Sequence, residues 1–445
     1  MTPPRLTDEP GALALAKRIK AGELTALEAT EQAIARIEST DGALNAVVVR
    51  DFERAREAAR ALDEAGLGED QPLFGVPMTI KDSIDVAGLP STWGLEAAKG
   101  NIAQRDAVVV QRVRAAGAVI LGKTNVPPLL ADWQSANPLY GITNNPHDTS
   151  RVPGGSSGGA AAAVASGMVP IEIGSDIGGS VRVPAHFCGI YGHKSTYASV
   201  PCEGQHVPGL DGADPALGVV GPLARNTDDL AVLFDLISDP VLPLSGKRLS
   251  DMRFLLVDTQ PIAQVESAIT DAMGELADRL RTAGAQVDHE SPALPDLEAQ
   301  HRDYMRMLGI TMSGGAPGPD GKQASVRDWF DLCDAQARNQ RQWRDLFATY
   351  DHVLAPPAGI TAFPHDPKPG MAGRMIAING EETVFADQLA WAGLASFPGL
   401  PSTAAPIAAD DAGLPIGVQI MGDRLRDRDC IAAAGMIGAL FGDAA

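Results

Sequence analysis

Two serines in glycine-rich turns and one lysine after an apolar segment are the residues of this chain whose types and spacing suit nucleophilic chemistry. Ser156 lies in the run G-G-S-S-G-G, and Ser180 lies farther along in the run G-S-D-I-G-G-S-V-R. Lys81 follows the apolar segment 74–80, which predicts a buried strand that ends at the lysine. A serine hydroxyl needs an adjacent base to take its proton as it attacks, and a lysine is such a base only when neutral. The three residues are therefore candidates for nucleophilic chemistry.

Two short motifs also match the chain, but each stands in the wrong structural context. Residues 117–124, G-A-V-I-L-G-K-T, have the spacing of a phosphate-binding P-loop. The segment 118–121 is itself strand-like, however, and two prolines at 127–128 follow where a helix would have to begin. The turn around Ser156 and Ser157 matches G-x-S-x-G twice, yet a loop precedes it where a nucleophile elbow needs a strand. We expect neither of these functions, and a purely structural glycine turn is the remaining alternative.

Taken together, the two glycine-rich runs resemble the signature of the amidase signature family. The resemblance implies a single α/β/α domain around a large mixed β-sheet, with a Ser-cisSer-Lys triad. It makes Ser180 the nucleophile, Ser156 the bridging serine after a cis peptide bond, and Lys81 the base. Further segments along most of the chain also resemble the family: 75–82, 122–125, 145–146, 221–222 and 414–419.

The turn before Ser180 favours an oxyanion hole, because its glycines leave successive backbone amides unobstructed. We expect the donors to be the amides of Ile177, Gly178 and Gly179. Asp176 and Arg182 flank the nucleophile, and we expect their charges to brace the loop, with a direct substrate contact of Arg182 as the alternative. Residues expected to support the triad are Gly155, Ser157 and Ser175.

Burial among hydroxyls, away from carboxylates, predicts that the pKa of Lys81 lies well below the usual value of about 10.4. Asp82 is the obvious objection, but adjacent strand positions point to opposite faces. The segment 192–196, G-H-K-S-T, departs from the family pattern, which more often has an apolar residue and a proline around the lysine. We expect this segment near the site, and its departure leaves substrate specificity open. His193 and His206 have no acidic partner at a recognisable spacing.

The elements that must position these residues alternate between strands and helices, which predicts an α/β fold. We expect Ser156 and Ser180 at opposite ends of a short helical hairpin. Other predicted helices are 25–37, 107–116, 227–237, 265–283 and 325–349, and other predicted strands are 118–121, 253–257, 286–289, 352–355 and 417–421. The predicted organisation is one domain over 1–445, with a helical N-terminal part at 1–66, a catalytic core at 73–240 containing the signature segment 145–200, and a variable substrate-side region at 306–350.

Composition excludes several classes of function. The 445 residues carry a net charge of -20, which disfavours nucleic-acid and anionic-membrane binding. Four cysteines with no C-x-x-C pair indicate no disulfide framework, and Cys188 is expected to be a packed core thiol. No export signal or H-E-x-x-H motif occurs, so we expect a cytoplasmic protein, a monomer or homodimer, with no metal and no cofactor.

The predicted function is hydrolysis of C–N bonds in small-molecule amides through an acyl-enzyme, with aryl amides, carbamates and esters as possible substrates. An amidotransferase subunit that releases ammonia from glutamine for a tRNA-dependent complex is one alternative, and a noncatalytic binding module is another. Expected pocket walls come from 129–140, 202–218 and 306–322, and 311–322 is either a lid or a surface loop. Expected pocket side chains are Trp133, Tyr140 and Met307.

Overall fold

A computed structural model of the chain describes residues 3–66, 68, 70–210, 212–317, 321–368 and 370–442. Its strands are β1 (Val47–Arg50), β2 (Pro77–Lys81), β3 (Val119–Thr124), β4 (Ala136–Asn137), β5 (Gly141–Ile142), β6 (Ile171–Asp176), β7 (Tyr191–Lys194), β8 (Val219–Ala224), β9 (Arg253–Leu256), β10 (Gln286–Asp288), β11 (His352–Ala355), β12 (Met375–Ile378), β13 (Glu381–Val384), β14 (Ser402–Ala409) and β15 (Pro415–Met421). Eleven of them form one mixed sheet in the order β1-β3-β2-β6-β8-β7-β14-β15-β11-β9-β10, and β4-β5 and β12-β13 form two small hairpins.

Helices cover both faces of the large sheet. They are α1 (Ala12–Lys20), α2 (Ala26–Leu44), α3 (Phe52–Ala65), α4 (Val108–Ala115), α5 (Gly158–Ala165), α6 (Arg182–Cys188), α7 (Thr227–Ile237), α8 (Ser267–Thr282), α9 (Leu297–Ser313), α10 (Val326–Phe347), α11 (Leu389–Ser396) and α12 (Asp427–Leu440). Apolar side chains of α4, α7, α8 and α12 pack on one face. Those of α2, α3, α5 and α6, and of α10 and α11, pack on the other. The predicted α/β/α architecture around a large mixed sheet is confirmed.

Three neighbouring strands of the sheet, β3, β2 and β6, run parallel to one another. The carboxyl ends of parallel strands meet at one edge of a sheet. Lys81 ends β2 and Asp176 ends β6, so the strand pairing alone brings the predicted base close to the turn that carries Ser180.

Local signals account for several elements. Thr25 and Glu28 form the predicted capping box of α2, with the Glu28 amide 3.0 Å from Thr25 Oγ1 and the Thr25 amide 2.7 Å from the Glu28 carboxylate. Such a cap contributes about 1 kcal/mol. The predicted helix 227–237 and the predicted strand 352–355 have the bounds of α7 and β11.

The predicted helical hairpin between Ser156 and Ser180 is wrong. The helix α5 follows Ser156, but the next element is the central strand β6, which enters the turn before Ser180. All residues of β6 are buried, and a strand buried on both faces has no polar alternation to separate it from a buried helix. The sequence therefore did not distinguish them.

The segment 311–322 is partly helical. Helix α9 continues to Ser313, and Gly314 ends it in a left-handed conformation with φ of 59°. Residues 318–320 lie outside the described part of the chain, so the two alternatives for 311–322, a lid and a surface loop, both stay predictions.

Candidate active site

Lys81 is completely buried and its amine is surrounded by hydroxyl groups. Its Nζ donates to Ser156 Oγ at 2.8 Å, Ser157 Oγ at 2.8 Å and Ser175 Oγ at 2.9 Å. Burial lowers the pKa of Lys81 from 10.5 to about 7, against the opposing charges of nearby carboxylates, chiefly Glu172. A substantial fraction of the amine is therefore neutral near pH 7, as a proton acceptor requires.

Asp82 does not pair with Lys81. Its carboxylate accepts the backbone amides of Thr92 at 3.0 Å and Trp93 at 2.7 Å. The expectation that adjacent strand positions separate the two side chains is confirmed. This arrangement leaves Lys81 with hydroxyl partners instead of a carboxylate that would keep it charged.

The turn before α5 brings Ser156 to the lysine. The Gly155–Ser156 peptide bond is cis, as the resemblance implied. A Cβ atom on Gly155 would collide with the backbone of Asp132 and Trp133, so this position requires glycine. The Ser157 amide donates to the Ser180 carbonyl at 3.2 Å, which links the two serine turns directly.

Asp176 organises the turn that carries Ser180. Its carboxylate accepts hydrogen bonds from the Gly179 amide at 2.9 Å and from the Val181 amide at 3.1 Å. It also forms a buried ion pair with Arg182 at 2.9 Å. Burial opposes ionisation of Asp176, but the adjacent Arg182 charge outweighs it and lowers the pKa to about 2. Asp176 is therefore a carboxylate throughout the physiological range.

Arg182 is a structural brace. Its five N–H donors all have partners: two go to Asp176, and the others go to the Ala392 carbonyl, Gln419 Oε1 and Ser396 Oγ. The side chain is fully buried. With no donor left over, a direct substrate contact is disfavoured and the brace that we expected from the sequence is supported.

Two aromatic side chains hold the peptide planes of the turn before Ser180. The Tyr304 hydroxyl donates to the Ile177 carbonyl at 3.1 Å, and Trp133 Nε1 donates to the Gly178 carbonyl at 2.9 Å. In a trans peptide the N–H points opposite the C=O, so these contacts also aim the next two amides. The Gly179 amide is used by Asp176, so Gly179, which we expected among the oxyanion donors, is engaged elsewhere and Ile177 and Gly178 are the remaining candidates.

Two cavities meet at Ser180. The first, here called the Ser156 cavity, has a volume of about 100 Å³ and contains Ser156 in its wall. The second, here called the Trp133 cavity, has a volume of about 330 Å³ and contains Trp133 and Gly178. Ser180 lines both cavities. Ser180 is therefore accessible from two sides.

The predicted pocket residues are distributed unevenly. Trp133 lines the cavity named after it, but Tyr140 and Met307 are not among the residues lining either cavity. Met307 packs in the hydrophobic core, whereas Leu308, Thr311 and Met312 of the same helix line the cavities. All three predicted wall segments contribute, and 370–372 is a further wall that no motif indicated.

The segment 192–196, which departs from the family pattern, is absent from both cavity walls, although the Arg182 and Asp176 charges act on its Lys194. His193 Nε2 lies 3.1 Å from Asp427 Oδ1, so His193 has an acidic partner, although not one at a spacing that the sequence could reveal. Asp427 is 234 positions away and no spacing rule connects the two. Lys194 donates to the carbonyls of Ser195 and Leu400, and burial lowers its pKa to about 7.

The rejected motifs have structural explanations. The P-loop match is largely the strand β3, and its lysine, Lys123, donates to the carbonyls of Asp82 and Pro90. The residues before Ser156 are a loop, so no nucleophile elbow forms. In the described part of the chain, no three His, Cys, Asp or Glu side chains cluster as a metal site would require. Among the described helices, none has both the length and the apolar character needed to cross a bilayer.

Known proteins show the same architecture and sequence pattern. The family model described as amidase matches residues 28–313 and 321–431. The AmiB2 protein of Mycobacterium tuberculosis is 46% identical over 226 residues, which is about half of either protein (51% of this chain and 48% of AmiB2). A glutamyl-tRNA(Gln) amidotransferase subunit of Deinococcus radiodurans is 31% identical over 487 residues, covering 96% of this chain and 97% of that protein.

A solved bacterial aryl acylamidase of the amidase signature family superposes with a TM-score of 0.79 at 25% identity, over 98% of this chain and 99% of that structure. The family match covers most of the chain, and the similarity in fold extends over nearly all of it. The chain therefore belongs to the amidase signature family.

Proposed function

We propose that this chain is a serine hydrolase that cleaves the C–N bonds of amides through an acyl-enzyme on Ser180. The observation that carries the proposal is the buried Lys81 amine, which contacts Ser156 at 2.8 Å and whose pKa is lowered to about 7 by burial. A base of this kind, one hydrogen bond from a serine that shares a cavity with Ser180, is what activation of a serine hydroxyl requires.

The proposed reaction has two halves. Ser180 Oγ attacks the amide carbonyl carbon while its proton passes to Ser156, whose own proton passes to Lys81. Backbone amides before Ser180 stabilise the oxyanion. The C–N bond then breaks as Ser156 returns a proton to the leaving nitrogen, and an ester remains on Ser180. Water attacks that ester with the same relay as base, releasing the acid and restoring the serine.

Simple amides, including aryl amides, are the proposed substrates, and carbamates and esters fit the same chemistry. Similarity to the aryl acylamidase supports the aryl group. A noncatalytic binding module would not need a buried lysine in contact with three serine hydroxyls.

An amidotransferase subunit is the second candidate, favoured by the relative that matches 96% of the chain. Free glutamine carries both an ammonium and a carboxylate group, which need charged partners once they leave water. Among the residues that the structure describes, the charged side chains lining the two cavities are Asp132 and Asp176, and each is ion-paired with a buried arginine. We therefore favour the stand-alone amidase. Ammonia release from glutamine only in the presence of added partner subunits would instead favour the amidotransferase.

Covalent labelling tests the proposal. An organophosphonate probe, followed by proteolysis and mass spectrometry, is expected to modify Ser180, and a Ser180→Ala variant is expected to escape labelling and to lack activity. A Ser166→Ala variant, which changes a partly buried serine at the end of α5, is the control. It is expected to keep its activity and to be labelled on Ser180. Modification of another residue in active protein would refute the assignment.

A further inference from the structure

The two cavities differ in which part of the catalytic apparatus they contain. Both include Ser180, Leu130, Ile177 and Met312, which form the junction between them. Ser156 lines the first cavity and is absent from the wall of the second. The proton donor to the leaving nitrogen therefore faces one side of the nucleophile only.

We infer that the Ser156 cavity receives the leaving amine and the Trp133 cavity receives the acyl group, and that both groups are uncharged and largely apolar; this inference rests on the proposed function. The tetrahedral carbon carries the Ser180 oxygen, the oxyanion, the leaving nitrogen and the acyl substituent. The nitrogen has to lie within hydrogen-bond reach of Ser156 to receive its proton. Once the nitrogen is directed into the Ser156 cavity, the acyl substituent is left to point into the Trp133 cavity.

The charges in the walls favour neutral groups. In the Trp133 cavity, the Asp132 carboxylate accepts hydrogen bonds from both terminal nitrogens of Arg374, at 2.7 and 2.9 Å. It also accepts one from the Gly370 amide at 3.0 Å. In the Ser156 cavity, Asp176 is paired with Arg182. A bidentate arginine neutralises the charge of the carboxylate and engages both of its oxygens, which weakens its attraction for a ligand ammonium. Apolar side chains, including the partly exposed Leu129 and Met312, make up much of the remaining surface.

The wall of the Ser156 cavity is held in a conformation that ordinary loops avoid. Trp93, Leu129 and Leu130 have positive φ values of 53°, 53° and 59°, and all three line this cavity. The Leu129 amide donates to the Trp93 carbonyl at 2.9 Å, which fixes the two loops together. Non-glycine residues adopt this region rarely, and those that do concentrate at binding sites. The loops thus place three large apolar side chains where a leaving group would contact them.

Two tryptophan substitutions separate the cavities. Thr311→Trp narrows the Ser156 cavity, and Ala372→Trp narrows the Trp133 cavity; both positions are partly or fully exposed wall residues, so the variants are expected to fold. Arg302→Trp is the matched control, because Arg302 is exposed on the opposite side of the helix that carries Thr311 and lines neither cavity.

The readout uses two series of neutral substrates: 4-nitroanilides with acyl chains from acetyl to octanoyl, and acetamides of arylamines of increasing size. Thr311→Trp is expected to lower kcat/KM about tenfold or more for the large arylamines while acyl-chain selectivity stays unchanged. Ala372→Trp is expected to do so for the long acyl chains. The rate at which an isolated acyl-Ser180 intermediate is hydrolysed gives an independent measure, because the leaving group has already departed at that stage. This rate is expected to change in Ala372→Trp and to stay the same in Thr311→Trp.

The opposite pattern, with Thr311→Trp selecting against long acyl chains, would overturn the assignment of the cavities. Equal effects of all three tryptophan variants, including the control, would overturn it as well. Failure to detect any acyl-Ser180 in the wild-type enzyme would instead refute the proposed function itself, so the two failures are distinguishable.

Discussion

Lys81→Met is expected to remove the proposed general base. It is also expected to abolish the fall in rate that the wild-type enzyme is expected to show at acidic pH. The substitution keeps the apolar stem of the buried side chain and deletes the amine that contacts Ser156, Ser157 and Ser175. Loss of a positioned general base typically lowers the rate by about 10²–10⁴-fold. A neutral amide substrate whose own ionisation lies outside the range is required for the measurement.

The magnitude of the wild-type pH dependence follows from the lowered pKa. Lys81 is active when neutral, and burial lowers its pKa to about 7. The neutral fraction is then about 1% at pH 5, about half at pH 7 and about 99% at pH 9. The value of kcat/KM is therefore expected to rise about tenfold per pH unit below pH 6, to bend near pH 7 and to reach a plateau about a hundredfold above its value at pH 5.

The matched control is Lys123→Met. Lys123 is an equally buried lysine on the neighbouring strand, and burial lowers its pKa to about 8, but it donates to backbone carbonyls and not to Ser156. This variant is expected to keep the wild-type bend near pH 7 wherever circular dichroism shows it folded. A wild-type profile that is flat from pH 5 to 9, or a folded Lys81→Met enzyme with full activity, would refute the lysine base.

Three further outcomes follow from the contacts around the site. Tyr304→Phe frees the peptide plane after Ile177, so steady-state kinetics are expected to show kcat lowered about tenfold with KM little changed, and a raised KM at unchanged kcat would contradict a role in positioning the oxyanion donors. Asp176→Asn leaves the buried Arg182 charge unpaired and is expected to cost about 3–5 kcal/mol in urea unfolding, where a change below about 1 kcal/mol would contradict the brace. Burial raises the pKa of Cys188, so alkylation of the native protein is expected to leave this thiol unmodified, and its modification before unfolding would show that it is not a packed core residue.

The candidate catalytic residues could be predicted because they lie in continuous motifs. Ser156 and Ser180 each occupy a glycine-rich run, and Lys81 ends an apolar strand, so residue type, spacing and resemblance all point to the same chemistry. The lowered pKa of the lysine was predicted from burial among hydroxyls, and burial does outweigh the nearby carboxylates, of which Glu172, the chief one, was not foreseen. Chemistry encoded in a short segment is therefore accessible from the sequence.

The contacts that hold the site together come from distant parts of the chain and left no local signal. Tyr304 reaches the Ile177 carbonyl across 127 positions, and Asp427 reaches His193 across 234. The strand β14 was also missed, because alanines and Pro406 do not resemble a central strand. The structure accommodates the proline at an irregularity in the pairing between Pro406 and Ala408, which is a position where strands tolerate it.

Trapping the acyl-enzyme tests the central claim most directly. Wild-type protein mixed with a 4-nitroanilide or the corresponding ester and quenched in acid is expected to gain the mass of one acyl group, located on Ser180 by peptide mapping, and Ser180→Ala is expected to gain none. An acyl group on any other residue, or turnover of the substrate by Ser180→Ala at the wild-type rate, would contradict nucleophilic catalysis by Ser180.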